Sequence, residues 1–139
     1  MSPEDQIRKA SDQFYSAVNQ MLNGDAKPLA DIWSHDAAVT TMHPLGGREV
    51  GWDKVQELFG EVARIASEGQ VKLGDQIIQV TGDGAYEVGV ERGQVKFGGK
   101  PFPIEHRVTN IYRNEKGRWK IVHHHTDASM ATMGVFSQT

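Results

Sequence analysis

The chain contains no cysteine, which removes disulfides, zinc–thiolate centres and thiol catalysis together and fits a reducing compartment. It also lacks any block of lysine and arginine. Its 15 basic residues stand against 18 acidic ones, leaving a formal charge of -3 and no cationic footprint for a nucleic-acid backbone. No apolar run approaches the roughly 20 residues that span a bilayer, and the opening MSPEDQIRKA is polar where a signal peptide needs an apolar stretch. These absences predict a soluble, cytoplasmic protein with neither nucleic acid nor membrane among its partners. No repeat, low-complexity tract or linker interrupts the chain. Its 139 residues, 38% of them hydrophobic, therefore read as a single domain over 1–139 with one core.

The first half carries helical spacing. Ser2-Pro3-Glu4-Asp5 starts a helix: Ser caps free amides, Pro fits the first turn and the acids face the positive end of the dipole. Ile7, Ala10, Phe14, Ala17 or Val18, and Met21 or Leu22 give it one apolar face, and Asn23-Gly24-Asp25 ends it. A short second helix follows through Leu29, Ile32 and Trp33, then a short strand from Ala37 to Met42 that stops at His43-Pro44-Leu45-Gly46-Gly47. A third helix runs from Trp52 to Gly69. Beyond it the period becomes that of strands, over Val71–Val80, Ala85–Phe97, Phe102–Arg113 and Arg118–Thr126, joined by Gly- and Asn-rich turns. Strands joined so tightly pair antiparallel, so the class is α+β, a meander with three helices on one face. The tail Met130–Thr139 reads as loosely ordered or available to a partner subunit.

The order of these features, with the Asn23-Gly24-Asp25 corner, the strand ending in His43-Pro44, Gly51 opening the third helix and the closing W-K-I-V-H-H-H, resembles the nuclear-transport-factor-2-like superfamily. It resembles above all the SnoaL-like branch, related to ketosteroid isomerase and to the calmodulin-dependent kinase II association domain, and the likeness covers Ile7 to Ser129. The resemblance implies a cone: a curved antiparallel sheet wrapped on the three helices, enclosing a deep hydrophobic pocket and forming a homodimer through the sheet's outer face. That fold hosts isomerases, dehydratases, cyclases, transport factors and assembly domains, so function has to be read from the pocket.

The same resemblance implies site residues. In the isomerase pattern the general base is an Asp just before a Pro at the end of the first short strand, and His43 holds that place here. Tyr15 lies where the isomerase has its oxyanion donor; the isomerase's second donor, a protonated carboxylic acid on the long strands, has no counterpart. Alignment of V-T-G-D-G-A-Y-E-V-G-V-E-R with the kinase association domain puts Arg92 at a pocket arginine, with Asn110 and Thr126 at two others.

Strand alternation divides the three consecutive histidines. Trp119, Ile121, His123 and His125 share one face, and Lys120, Val122, His124 and Thr126 share the other. If Arg92, Asn110 and Thr126 face the pocket, as that resemblance implies, His124 does too, unless a bulge reverses the parity. His123 and His125 then lie at the dimer seam, with no third ligand for a metal. His43 is a strand-end base or a turn histidine in solvent, and Tyr15 an oxyanion donor or an amphipathic core-edge residue. Arg92 orients a carbonyl or carboxylate, or stands exposed beside Glu91; Trp33 and Trp52 line the pocket mouth or fill the core. The expectation is a small-molecule-binding protein, with cofactor-independent isomerase, dehydratase or cyclase chemistry on a small hydrophobic carbonyl compound as one reading. A non-catalytic ligand-binding or dimeric assembly module is the alternative.

Overall fold

The computed structural model describes residues 1–44 and 46–128; the tail singled out above lies outside them. Helix α1 spans Pro3–Met21 and begins with a complete capping box, in which the Ser2 side chain accepts from the Asp5 amide and the Asp5 carboxylate accepts from the Ser2 amide. Such a cap stabilises a helix by about 1 kcal/mol. Its stripe of Ile7, Ala10, Phe14, Tyr15, Ala17 and Met21 is buried. Helix α2 is a single turn, Leu29–Ile32, and α3 spans Trp52–Ile65. Helix α3 ends earlier than the spacing predicts, because Ala66 is already extended and opens the first long strand without a loop.

Six strands follow the order β2-β1-β6-β5-β4-β3, with β1 at Thr40–Met42, β2 at Arg48–Val50, β3 at Ala66–Thr81, β4 at Gly84–Phe97, β5 at Lys100–Glu115 and β6 at Arg118–Ala128. The meander from β3 to β6 is antiparallel. The sheet as a whole is mixed, since β1 pairs parallel with β6, with Thr41 opposite His124. Strand β2, a three-residue partner of β1, carries too little apolar character to announce itself in the sequence.

The sheet curves where β3 is bulged. Register shifts fall between Ser67 and Gln70 and between Gly74 and Ile77, and Gly93 and Gly89 of β4 stand near these irregularities. A Cβ on Gly89 would come 2.7 Å from the Gly74 carbonyl oxygen, and one on Gly93 would collide with the Gln70 carbonyl. Both glycines are therefore required by close approach of the β3 backbone. Pro101 and Pro103 sit in β5 before His106, where the β6 ladder begins, so their missing N–H groups cost no inner ladder bond.

The helices cover the concave face, packing Phe14, Trp33, Val55, Tyr112 and Ile121, all nearly inaccessible, into one core. Among the described residues no helix is long and apolar enough to cross a membrane.

Candidate functional site

Alternation along β4 decides what the helices enclose. Ala85, Glu87, Glu91 and Val95 are buried, whereas Tyr86 and Arg92 are exposed. The pairs Glu87↔Asn110 and Glu91↔His106 then put Asn110, Val108, His106 and Tyr112 of β5 on the same inner face. Two carboxylates thus stand on the covered face of the sheet.

Glu87, with no exposed surface, is hydrogen-bonded at both oxygens. Its Oε1 accepts from Asn110 Nδ2 at 3.0 Å and from the Tyr112 hydroxyl at 2.9 Å, and its Oε2 accepts from Gln76 Nε2 at 2.6 Å. The second β3 bulge makes this possible by turning Gln76 inward while Asp75 faces out. Glu91, one strand period pair further along, is not saturated. The Tyr15 hydroxyl of α1 donates to its Oε2 at 2.9 Å, but among the described residues Oε1 has only the His106 ring, with Nδ1 at 3.7 Å, beyond hydrogen-bond length. Asn110 joins the two halves, because its Nδ2 also donates to the Tyr15 oxygen at 3.1 Å.

His124 completes the group from β6. Its Nδ1 lies 2.6 Å from Asn110 Oδ1, and its ring meets Phe14 edge-on at 5.3 Å. Burial pulls its pKa below 6.5, against the opposing pull of the Glu91 charge, so the ring is held toward its neutral form. Burial first, and then the Glu91 charge, raise the Tyr15 phenol well above 10; burial and Glu87 do the same to Tyr112. Tyr15 is thus a protonated donor throughout the physiological range. No lysine or arginine is buried among the described residues, so the group has no fixed cation.

The other sequence candidates lie elsewhere. Arg92 is a correction: its side chain is on the outer face, bound to Asp75 at 3.0 Å, because strand alternation gives the inner place to Glu91. The face assignment along β6 also changes. Tyr112 pairs with Ile121 and Ile111 with His123, leaving Val122 unpaired, so the inner face carries Ile121 before the bulge and His124 with Thr126 after it. His123 and His125 face out; His123 Nδ1 is 2.6 Å from the Thr40 hydroxyl, and the two rings are 6.1 Å apart.

His43 follows Met42 at the end of β1, but its ring folds back over Gly47, with Nε2 3.7 Å from Glu49 Oε2. No contact among the described residues joins it to Tyr15 or His124. Trp33 and Trp52 pack on each other at 6.3 Å, Trp33 against Phe59 at 5.5 Å and Trp52 stacked on His35 at 4.6 Å. They are core residues that stand apart from the polar group. Arg107 is exposed on the outer face, paired with Asp127 through two hydrogen bonds.

Among the described residues no group of three His, Asp or Glu side chains is arranged to hold a metal ion. A concavity of about 470 Å³ lies on the outer face, between Val88, Val90, Arg107, Thr109 and His125. Its walls are held by ion pairs, whereas the unsaturated acid and imidazole lie on the opposite side, and it is there that proton-transfer groups converge.

Sequence reasoning missed Glu87 and Glu91. Their signal was the four-residue interval, which places two strand residues on one face.

A curved sheet with helices in its concavity and a polar group between them defines a domain of the cystatin-like, NTF2-like kind. The chain belongs to the SnoaL-like domain family, whose model matches residues 7–133. Among solved structures it resembles a candidate dehydratase of the NTF2-like family from Streptomyces avermitilis, at 25% identity and a TM-score of 0.77 over 94% of this chain and 100% of that one. It also resembles a candidate calcium/calmodulin-dependent protein kinase type II association domain from Thiobacillus denitrificans, at 26% identity and a TM-score of 0.66, covering 93% and 96% of the two chains. The CaMKII hub of S. rosetta matches at 22% identity and a TM-score of 0.74, over 93% and 98%. No curated protein matches significantly.

Proposed function

We propose that the inner face around Tyr15, Glu91, His106 and His124 binds a small, uncharged, largely hydrophobic carbonyl compound and moves a proton on it without a cofactor. The observation that carries this reading is the contrast between the two carboxylates. Glu87 is bonded at both oxygens by three donors, while Glu91 keeps an oxygen without a hydrogen bond among the described residues, beside an imidazole and a phenol. A saturated network is structure; an unsaturated acid between two proton carriers is suited to acid–base chemistry.

The chemistry follows from the charges. With two inner carboxylates and no inner cation, an anionic ligand is repelled, so the ligand is neutral where it meets Glu91. Phe97, Phe102 and Ile104, partly buried against the core, supply an apolar neighbourhood for its body. Glu91 or His124 takes a proton from the carbon next to the carbonyl, and Tyr15, turning its one proton from Glu91 to the ligand, donates to the oxygen that becomes negative. The likeness to a candidate dehydratase supports this class of reaction: with a hydroxyl on the next carbon, the same carbanion expels hydroxide, which leaves as water on taking a proton from a neighbouring acid.

Proton exchange tests it. Cyclic ketones in heavy water with the full chain should exchange their α-hydrogens faster than in buffer, and Glu91→Gln and Tyr15→Phe should each lower the rate by about 10²-fold or more. Equal rates with and without protein across ketones and β-hydroxyketones would sink the enzymatic reading.

A second reading has its own observation. Ile77, Tyr86 and Ile111 are large apolar side chains exposed on the outer sheet face, suited to a homodimer, and the likeness to association domains and a hub supports assembly through that face. Assembly and inner-face chemistry use opposite sides of one sheet and are compatible.

A further inference from the structure

We infer that Glu87 and Asn110 form a positioning relay that fixes His124 in the Nδ1–H tautomer, so that its Nε2 presents a lone pair on the inner face as the site's proton acceptor. This inference rests on the inner-face reading proposed above and assigns the roles within it.

The relay starts at Glu87. A carboxylate oxygen receiving the Tyr112 hydroxyl at 2.9 Å and an Asn110 side-chain atom at 3.0 Å requires that atom to be a donor, so the Asn110 amide must point its NH₂ toward Glu87. The Tyr15 hydroxyl imposes the same choice. Its one proton goes to Glu91 Oε2, so toward Asn110 it offers a lone pair, and again only the NH₂ fits. Two independent acceptors therefore fix an amide orientation that is otherwise ambiguous. The Asn110 oxygen is left facing His124 Nδ1 at 2.6 Å, and an oxygen without a proton requires the ring nitrogen to carry one. The neutral ring, which burial favours, then has its lone pair on Nε2, and Nε2 has no partner among the described residues.

Each member of the relay thereby has a distinct part. Glu87 reacts with nothing and orients Asn110. Asn110 orients His124 on one side and directs the Tyr15 proton to Glu91 on the other. His124 accepts, and Tyr15 donates. Residue 110 must offer two donor hydrogens and one acceptor at once, which an amide does and a carboxylate does not.

The experiment is two-bond ¹H–¹⁵N correlation of the imidazoles in the full-length protein near pH 7.5, with His124→Gln used to identify the His124 signals among the six histidines. The expected result is a neutral Nδ1–H ring. Glu87→Gln, which still offers Asn110 an acceptor oxygen, should keep that tautomer, and so should Glu87→Leu while the Tyr15 oxygen still holds the amide; Glu87→Leu combined with Tyr15→Phe, and Asn110→Leu, should lose it in favour of the Nε2–H form that free imidazole prefers. A wild-type Nε2–H ring overturns the relay even if every variant fails to fold. So does an Asn110→Leu protein, or a Glu87→Leu/Tyr15→Phe protein, that folds and keeps the Nδ1–H form. Addition of a cyclic ketone separates this inference from the function it rests on. An Nδ1–H ring that no ketone perturbs supports the relay and removes the ligand site, while a ketone-responsive Nε2–H ring does the reverse.

Discussion

Replacing Glu87 by alanine should cost about 3–5 kcal/mol of folding stability, because it strands several buried donors at once. The perturbation is severe because of what remains. Gln76, Asn110 and Tyr112 each lose an acceptor, and Tyr112 has no exposed surface through which water can replace it. A hydrogen bond to a charged group contributes about 1.5–3 kcal/mol, and a stranded buried donor costs about 1–3 kcal/mol. Asn110 keeps the Tyr15 oxygen as a second acceptor and Gln76 lies near the sheet edge, so the three losses fall short of their simple sum. Set against the 5–15 kcal/mol (approximately) that holds a domain of this kind together, the loss brings the protein near its folding threshold. Glu87→Gln keeps one acceptor oxygen for Asn110 and Tyr112, and Gln76 can present its own oxygen to the new amide, so its cost should be about 1 kcal/mol. Urea titration of the three proteins measures both differences at unchanged slope. An alanine variant within about 1 kcal/mol of the parent, or a glutamine variant as damaged as the alanine, would refute the network as a stabilising element.

Stability should also fall on mild acidification. His123 and His124 are both held below 6.5 by burial, so beneath that pH the unfolded chain takes up protons that the folded chain refuses. Their contribution is complete above 6.5 and declines below it, at up to about 1.4 kcal/mol per pH unit for each proton, until the folded-state values are reached. His124 meets the fields of Glu91, His106, His123 and His125 there, and the depressed carboxylates of Asp5, Asp36, Glu115 and Asp127 add their losses only at lower pH. Urea midpoints from pH 7.5 to 5 check this, with His124→Gln flattening the curve; a flat wild-type curve would count against it. At the other extreme, the raised Tyr15 and Tyr112 values mean that stability drops as pH rises beyond 10, where unfolded phenols ionise first, and Tyr112→Phe should soften that alkaline transition. Gly93→Ala should destabilise by about 1–3 kcal/mol, since its methyl meets the rigid β3 backbone at Gln70, and thermal unfolding will show a normal melting temperature if the close approach is wrong. Ile111→Asp, on the outer face, should convert the proposed homodimer to monomers in sedimentation analysis while leaving the melting curve at low protein concentration nearly unchanged.

The fold was legible because its helices follow their period and clear turns separate its long strands. Ser2 and Asp5 cap α1 where the pattern puts them, and the turns at Gly82 and Gly98 divide the meander as expected. What escaped was set by events of one or two residues. Strand β2 is too short to show a period, and α3 yields to β3 at Ala66 although the next glycine to stop a helix is Gly69.

The site was harder to read for a different reason. Along Tyr86–Gln94, the side that looks like a core, Tyr86, Val88 and Val90, is the outer one, and the side carrying Glu87, Gly89, Glu91 and Gly93 is covered by helices. Hydrophobic alternation points the wrong way when the outer face is itself apolar and the inner face holds a polar network and close-packed glycines. An ungapped alignment then carried Arg92 inward in place of Glu91, inverting the charge of the site. Val122 shows the same sensitivity, since one unpaired residue put Ile121 and His124 on a single face. Tyr15, Asn110 and His124 were named from the sequence and do meet; the carboxylates that organise them emerged from the pairing of β4 with β5.

The most direct test of the central claim is a crystal structure of the protein soaked with a hydrophobic cyclic ketone. The account predicts the ketone on the inner face, its oxygen near the Tyr15 hydroxyl and its α-carbon facing Glu91 Oε1 or His124 Nε2. A ketone found in the outer concavity beside Arg107 and His125, with Glu91 sealed by the protein's own side chains, would contradict it.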